Sequence, residues 1–392
     1  MSEIKTEIDL DVEFVRGVLN EIFIFLEQQT MLGIHKTSVF NVEQLSSLII
    51  NAHVAKLVAI ERQLQGLREI LNKYLNKEDL PLNEYLLRIT RIWNYAQAAK
   101  CIIEGKSHPL DRWEAIGVQR SQYKTVPNFD AIPMTAFGWI SDSGYVGATV
   151  LFAVENSEKP DNVDPSGLES GLESLNIISV VNVRPQQYMF HPDPLVLFQT
   201  TGYTGYSLQD MAKGAIGFRN VKMNYKRQIS LSRDLVVVPL DRQTYEMPNN
   251  SPIVEEWATA IQILRTIDLK PMEGFSQTNL VLLKPHSYGR PNFDPVNALW
   301  SADLLDSTQH RIRIILRDTP TNQRTVANLD TLFEENSLPH AIFGKLFIFG
   351  GKIAFEPYTG YYFHTPKAKE DNKTVKNLFH LSLKSTKDIE IV

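Results

Sequence analysis

The side chains able to carry chemistry in this chain are scattered rather than gathered. Nine histidines stand at positions 35, 53, 108, 191, 286, 310, 340, 364 and 380. No two share the short spacing that sets paired imidazoles on one helical or strand face to hold zinc. The single cysteine, Cys101, excludes an intramolecular disulfide framework and a thiolate-built metal cluster, and it fits a reducing compartment. His191, in Phe190-His191-Pro192-Asp193-Pro194, is the most suggestive position, because prolines fix the loop around an imidazole and a carboxylate. The competing reading is a proline-shaped turn in which Asp193 accepts from nearby backbone N–H groups. The carboxylate pairs Glu255-Glu256, Glu334-Glu335 and Glu370-Asp371 are adjacent in sequence, so their side chains point in different directions and read as solvated charges rather than an acid and its base. Gly350-Gly351-Lys352-Ile353 lacks the first glycine and the hydroxyl of a phosphate loop, and Gly202-Tyr203-Thr204-Gly205-Tyr206-Ser207 is a turn-rich stretch rather than a nucleophile elbow. Tyr203, Tyr206, Tyr358, Tyr361, Tyr362 and Phe363 could stack on bases or sugars, but acids balance the lysines around them, which favours packing or subunit contact. The sequence therefore predicts no catalytic residue, no cofactor and no metal: a protein that is not an enzyme.

The elements that must position these residues change character along the chain. From Asp9 to about Gly105 the period is helical, with Leu10, Phe14, Val18, Ile22 and Leu26 forming the first stripe and Gly33 its stop. A second helix is predicted from Asn41, capped by that side chain with Gln44 in the reciprocal position. A further helix follows Leu80-Pro81, through Tyr85, Ile89, Ile92 and Ala96. Beyond Trp113 the turn residues recur every 8 to 12 positions, and the segments between them are short and β-branched or aromatic. Strands are predicted over 134–140, 145–154, 176–183, 195–200, 217–223, 230–238, 279–283 and 310–317, the last with Arg311 and Arg313 on its non-core face. Residues 156–174 read as an exposed loop, and 344–362 as either a hairpin or an apolar contact surface. Helices are predicted again over 322–333 and 371–385.

The fold class predicted is α+β: a helical base formed by residues 1–118 and 320–392, with an antiparallel β-sandwich of jelly-roll type inserted over 119–319. At 392 residues and 43% hydrophobic the chain is long enough for two to three domains with a real core. A net charge of -5 argues against a polycationic coat for nucleic acid, and no apolar run approaches the ~18 residues of a bilayer span. The acidic, amphipathic start lacks the features of a signal peptide, so cytosolic synthesis is expected.

Several local strings add to this organisation. Leu282-Leu283-Lys284-Pro285, then Pro295-Val296-Asn297-Ala298-Leu299 and the strand at Ile312, form one set; Val326-Ala327-Asn328-Leu329 with Ser337-Leu338-Pro339 form a second. Glu370-Asp371-Asn372 before Leu378-Phe379, and Trp113 with Val126-Pro127-Asn128, complete them. In order and spacing they resemble the trimeric middle-layer capsid protein of rotaviruses and the related core-surface proteins of orbiviruses, over residues 280–392 and 113–133. The resemblance implies a divergent structural protein of an icosahedral double-stranded RNA virus, found in the virion and, during assembly, in the host cytoplasm. Its partners would be two sister copies in a homotrimer, neighbouring trimers, the inner shell protein and the outer capsid proteins, with no sequence-specific nucleic acid and no membrane. Trimer-to-trimer contacts would be polar and sensitive to pH and salt. The metal-holding histidine found in some members falls on Thr125 here, so no metal is transferred. The alternative is a carbohydrate-binding or glycan-processing jelly roll with a helical cap, using the tyrosines as platforms and a carboxylate pair across a cleft. An RNA-coating protein is the third, disfavoured by the acidic balance.

Overall fold

The structure is a computed structural model that describes residues 11–78, 82–108, 115–117, 123–141, 144–154, 177–224, 227–240, 245–246, 253–266, 279–363 and 374–384. The chain divides into two compact units, one within residues 1–122 and one comprising the described residues from Tyr123 onward.

The first unit is helical. α1 (Val12–Leu32) starts at Asp11, whose carboxylate accepts from the Phe14 N–H at 3.1 Å, and stops at Gly33. α2 (Val39–Val54) begins three residues before the sequence expectation. Its cap is Ser38 and Asn41 is the reciprocal partner, so Asn41 works one turn inside the helix rather than at its start. α3 (Val58–Leu75) adds a helix to those expected, its face marked by Ile60, Leu64, Leu67 and Leu71 at helical spacing. α4 (Leu82–Ile103) closes the set. Their apolar faces share one core, where Phe23 meets Trp93 edge-on at 5.0 Å and the Tyr85 hydroxyl donates to the Gln29 carbonyl at 3.2 Å.

The second unit holds two sheets. Its early strands are β1 (Lys124–Thr125), β2 (Phe129–Ile140), β3 (Tyr145–Val154), β4 (Ile177–Pro185), β5 (Ile216–Arg219), β6 (Lys222–Met223), β7 (Gln228–Ile229) and β8 (Val236–Pro239). They form an eight-stranded sheet in the order β1-β6-β7-β4-β3-β2-β5-β8. The later strands are β9 (Tyr245–Glu246), β10 (Ile253–Val254), β11 (Leu280–Leu283), β12 (Ser287–Tyr288), β13 (Asn292–Asp294), β14 (Leu299–Leu305), β15 (Arg311–Arg317), β16 (Ala341–Phe349), β17 (Lys352–Phe363) and β18 (Thr374–His380). These make a ten-stranded sheet whose main path is β10-β11-β16-β17-β15-β14-β12, with β18 on β17.

The burial of single strands shows how the layers stack. Along β3, Val146, Ala148, Val150 and Phe152 enter one core with the helices α5 (Pro194–Gln199) and α6 (Leu208–Met211), while Leu151 and Ala153 enter a second core against the other sheet. Along β11, Leu280 and Leu282 face that same inter-sheet core, and Val281 and Leu283 pack with helices α7 (Trp257–Thr266) and α8 (Gln323–Glu334). The order is helices, sheet, sheet, helices. Central strands are therefore covered on both faces and read as continuous apolar runs, where a simple sandwich would alternate. Only toward β14 and β15 does alternation return, with Ile312, Ile314 and Leu316 inside and Arg311 and Arg313 outside, as the sequence predicts.

Three expectations need correction. Residues 195–200, read as a strand, form α5, because Asp193 caps the Leu195 N–H at 2.9 Å and Pro194 supplies the fixed φ of a first helical position. The helix predicted over 371–385 is instead β18, paired antiparallel with β17 through Tyr361↔Leu378 and Gly360↔Phe379. Its apolar run is buried on both sides, which hides strand periodicity. The described residues of 320–392 thus contribute one helix and three strands to the sheet-bearing unit rather than to the helical one. The segment 344–362 resolves as the β16–β17 hairpin, turned by Gly350 and Gly351, both at positive φ. The fold is mixed α+β with N-terminal helices and two large sheets. The loop predicted over 156–174 lies outside the described residues.

Candidate functional site

His191 sits at the exposed tip of its loop with its ring edge-on to Phe190, and its carbonyl accepts from the Asp193 N–H at 2.8 Å. Asp193 carries the local order: besides capping α5, it takes a two-pronged ion pair from Arg324 of α8, at 3.0 and 2.7 Å. Arg324 holds the Asp193 carboxyl below the usual carboxylate range; partial burial opposes this, and the bond from Leu195 reinforces it. The pair lies in a cleft of about 280 Å³ lined by Ile140, Pro192, Pro194, Thr321 and Gln323. Charge in that cleft is internally neutralised, and the arrangement ties two outer helices together. The proline-shaped turn is the reading the structure supports.

A second polar group lies between the two sheets, with little local sign in the sequence. Thr135 on β2, Thr359 on β17 and His380 on β18 are all buried. The Thr135 and Thr359 hydroxyls are 2.7 Å apart, and Thr359 Oγ1 is 2.9 Å from His380 Nδ1. The Ala136 N–H also points at Nδ1, at 3.3 Å. Nδ1 therefore accepts, the ring proton sits on Nε2, and the hydroxyls donate in sequence from Thr135 to Thr359 to His380. Burial pushes the His380 pKa down to about 3, with the Lys384 charge adding to it, so the ring stays neutral. Beside it the Tyr361 hydroxyl donates to the Met134 carbonyl, again from sheet to sheet. A histidine inside the apolar run Leu378-Phe379-His380-Leu381 was the available signal. The helix expected over 371–385 would not bring it beside Thr359.

The remaining residues singled out by type do not converge. Glu255 pairs with Lys284 at 3.0 Å, Glu334 and Glu335 are exposed, and Glu370-Asp371 lie outside the described residues, as does His364. Tyr358 and Tyr361 are core residues, Tyr362 donates to the Ser337 carbonyl at 2.9 Å, and exposed Tyr203 lies under the Arg233 guanidinium. Those tyrosines are thus unavailable as a shared sugar platform. His53 meets Glu61, and His310 meets Asp306. Thr125 is exposed on β1. Among the described residues no group of three His, Cys, Asp or Glu side chains is placed to hold a metal ion, and no helix is long and apolar enough to cross a membrane.

Several buried or half-buried polar groups bridge layers. Asn182 on β4 donates to the Leu197 carbonyl of α5, Trp300 on β14 donates to Asp330 of α8 at 2.7 Å, and Asn328 of α8 donates to the Leu381 carbonyl just beyond β18. Asp306, after β14, accepts from the Trp257 N–H at the start of α7 and from three groups of Thr308 and His310. Burial works against its charge, but these bonds prevail and hold its carboxyl below the usual range. Comparison with known proteins adds no assignment: no protein-family model matches the chain, and no curated protein matches it.

Proposed function

We propose that this chain is a structural subunit that assembles into a homotrimer and, through it, into the intermediate layer of an icosahedral double-stranded RNA virus capsid. In this reading the N-terminal helices face the inner shell protein, the sheet-bearing unit faces the outer capsid proteins, and neighbouring trimers meet laterally. The finer fold it carries, a jelly roll on a helical base, draws support from two sheets facing one another over a common core.

One observation carries the proposal: the two units cover their apolar surface unequally. Twelve of the 22 large apolar side chains exposed among the described residues belong to the four N-terminal helices. The sheet-bearing unit, more than twice as long, has helices over both sheets and leaves ten. Apolar faces left open on a small helical unit are what obligate association buries, at ~25 cal/mol per Å² before the ordering cost. The polar groups that bridge layers point the same way, since Thr135, Thr359 and His380 fix one sheet on the other.

The test is the solution mass by light scattering across pH and salt, followed by negative-stain imaging. A species near three times 44.7 kDa that grows into sheets, tubes or shells is the expected result. A monomer of 44.7 kDa under all conditions refutes it.

A further inference from the structure

We infer that the outer face of the α1–α2 hairpin is the surface on which this chain binds further copies of itself; the inference rests on the assembly reading and gives it a location. The connection between the helices, residues 33–38, is short, which makes them antiparallel neighbours. A hydrogen bond from Asn51 Nδ2 to Glu21 Oε2 at 3.1 Å sets their alignment. Counting from that pair, Ile24 is level with Leu48 and Met31 with Asn41, next to Phe40. On α1 the core is reached by Val18, Ile22, Phe25 and Gln29, so Ile24 and Met31, seven residues apart, point the opposite way. On α2 the core takes Leu45, Leu48 and Ala52, which turns Phe40, Ile50 and Val54 outward. The exposures follow: Ile24 54%, Met31 87%, Leu32 56%, Phe40 69%, Ile50 63% and Val54 61%.

Summed along the two helices, these six side chains expose on the order of 700 Å², close to the ~800 Å² each partner buries in a standard interface. The area is what a second copy of the chain needs in order to bind stably. Glu43 shares the stripe with Phe40 and Ile50, so copies whose faces meet around the symmetry axis bring like charges near one another. Association through it therefore strengthens as salt rises, the reverse of a contact held by ion pairs.

The full chain carrying Phe40→Glu with Ile50→Glu tests this by light scattering beside the wild type, with far-UV circular dichroism as the check on folding. Met31→Lys is the second variant; at 87% exposure its side chain contributes nothing to the core. Val296→Glu, 90% exposed in the other unit, is the control. Expected are a wild-type multiple of 44.7 kDa that tightens with salt, a double variant at 44.7 kDa, association at least tenfold weaker for Met31→Lys, and a control like the wild type. If the wild type assembles and both variants assemble equally well, the face is not the interface and the assembly reading stands. A wild type that is monomeric throughout removes both. A monomer that instead sediments with neutral lipid vesicles gives the face to a membrane and overturns the inference.

Discussion

Lowering the pH from 7.5 to 5.0 should loosen the sheet-to-sheet contact through one side chain, His380. Its pKa is about 3 in the folded chain against an ordinary 6.5, so between those values the unfolded chain binds the extra proton and the folded chain does not. Stability then falls as pH falls, beginning near 6.5 and levelling below 3. The loss attributable to His380 is about 2 kcal/mol at pH 5.0 and approaches ~5 kcal/mol below pH 3, at 1.36 kcal/mol per unit. The window from 7.5 to 5.0 is chosen because Asp193, Asp210 and Asp306 are held below their ordinary 3.8, and their contributions are lost only at lower pH. Glu356, raised by burial, acts with the opposite sign, gaining stability as pH falls. His380→Gln keeps an acceptor for Thr359 and has nothing to titrate. Urea unfolding followed by tryptophan emission at four pH values should show the wild type losing about 2 kcal/mol more than His380→Gln between pH 7.5 and 5.0. Parallel pH dependences for the two proteins would refute the buried, neutral imidazole.

Other perturbations read different joints. Asp306→Ala removes the four bonds that hold the β14–β15 turn and the start of α7, and a loss of about 3 kcal/mol is expected in the urea midpoint, with Asp306→Asn intermediate. Arg324→Ala leaves the Asp193 carboxylate with only its bond from the Leu195 N–H at a site about a third exposed, so solvent limits the cost to about 1 kcal/mol; a loss above about 3 kcal/mol would show the pair to be drier than it is here. Gly344→Ala places a Cβ at 2.1 Å from the Glu356 carbonyl oxygen beside the register shift in β16, and should cost about 3 kcal/mol or prevent folding, seen in thermal unfolding and soluble yield.

How far the sequence carried depends on how many faces of each element are covered. α1 and β15 each bury one face, so period alone placed them, down to the outward Arg311 and Arg313. β3 was found because Gly144 and a β-branched run bound it, although its burial does not alternate. β18 has both faces covered and no such bounds, and its Val375, Leu378 and Phe379 fit a helix as well as a strand until β17 is known to lie beside it. In α5 the apolar run Leu195 to Phe198 looked like a strand, while the decisive signal was the Asp193-Pro194 start, noticed only as a turn. Site geometry was less legible still. Asp193 could be assigned its backbone bond from the local pattern, but Arg324 lies 131 residues away, and Thr135 lies 224 residues from Thr359. Pairings at that distance follow from sheet order, which no local spacing encodes.

Apolar layers by themselves are permissive about register, because hydrophobic contact is nondirectional and a sheet can slide on its neighbour at modest cost. In the sheet-bearing unit successive boundaries carry directional bonds: Asn182 to Leu197 between helix and first sheet, Thr135 to Thr359 to His380 between the sheets, and Trp300 to Asp330 between second sheet and helix. Each buried polar group costs desolvation that its partner only offsets, so their value lies in choosing one alignment over others. A surface that must match identical neighbours repeatedly needs such fixed alignment more than it needs extra stability. The helical unit leaves more large apolar side chains exposed among the described residues, so its geometry is left to be completed by whatever it packs against. That division of labour, rigid sheets and an unfinished helical face, is what links the packing to the assembly proposed for the chain.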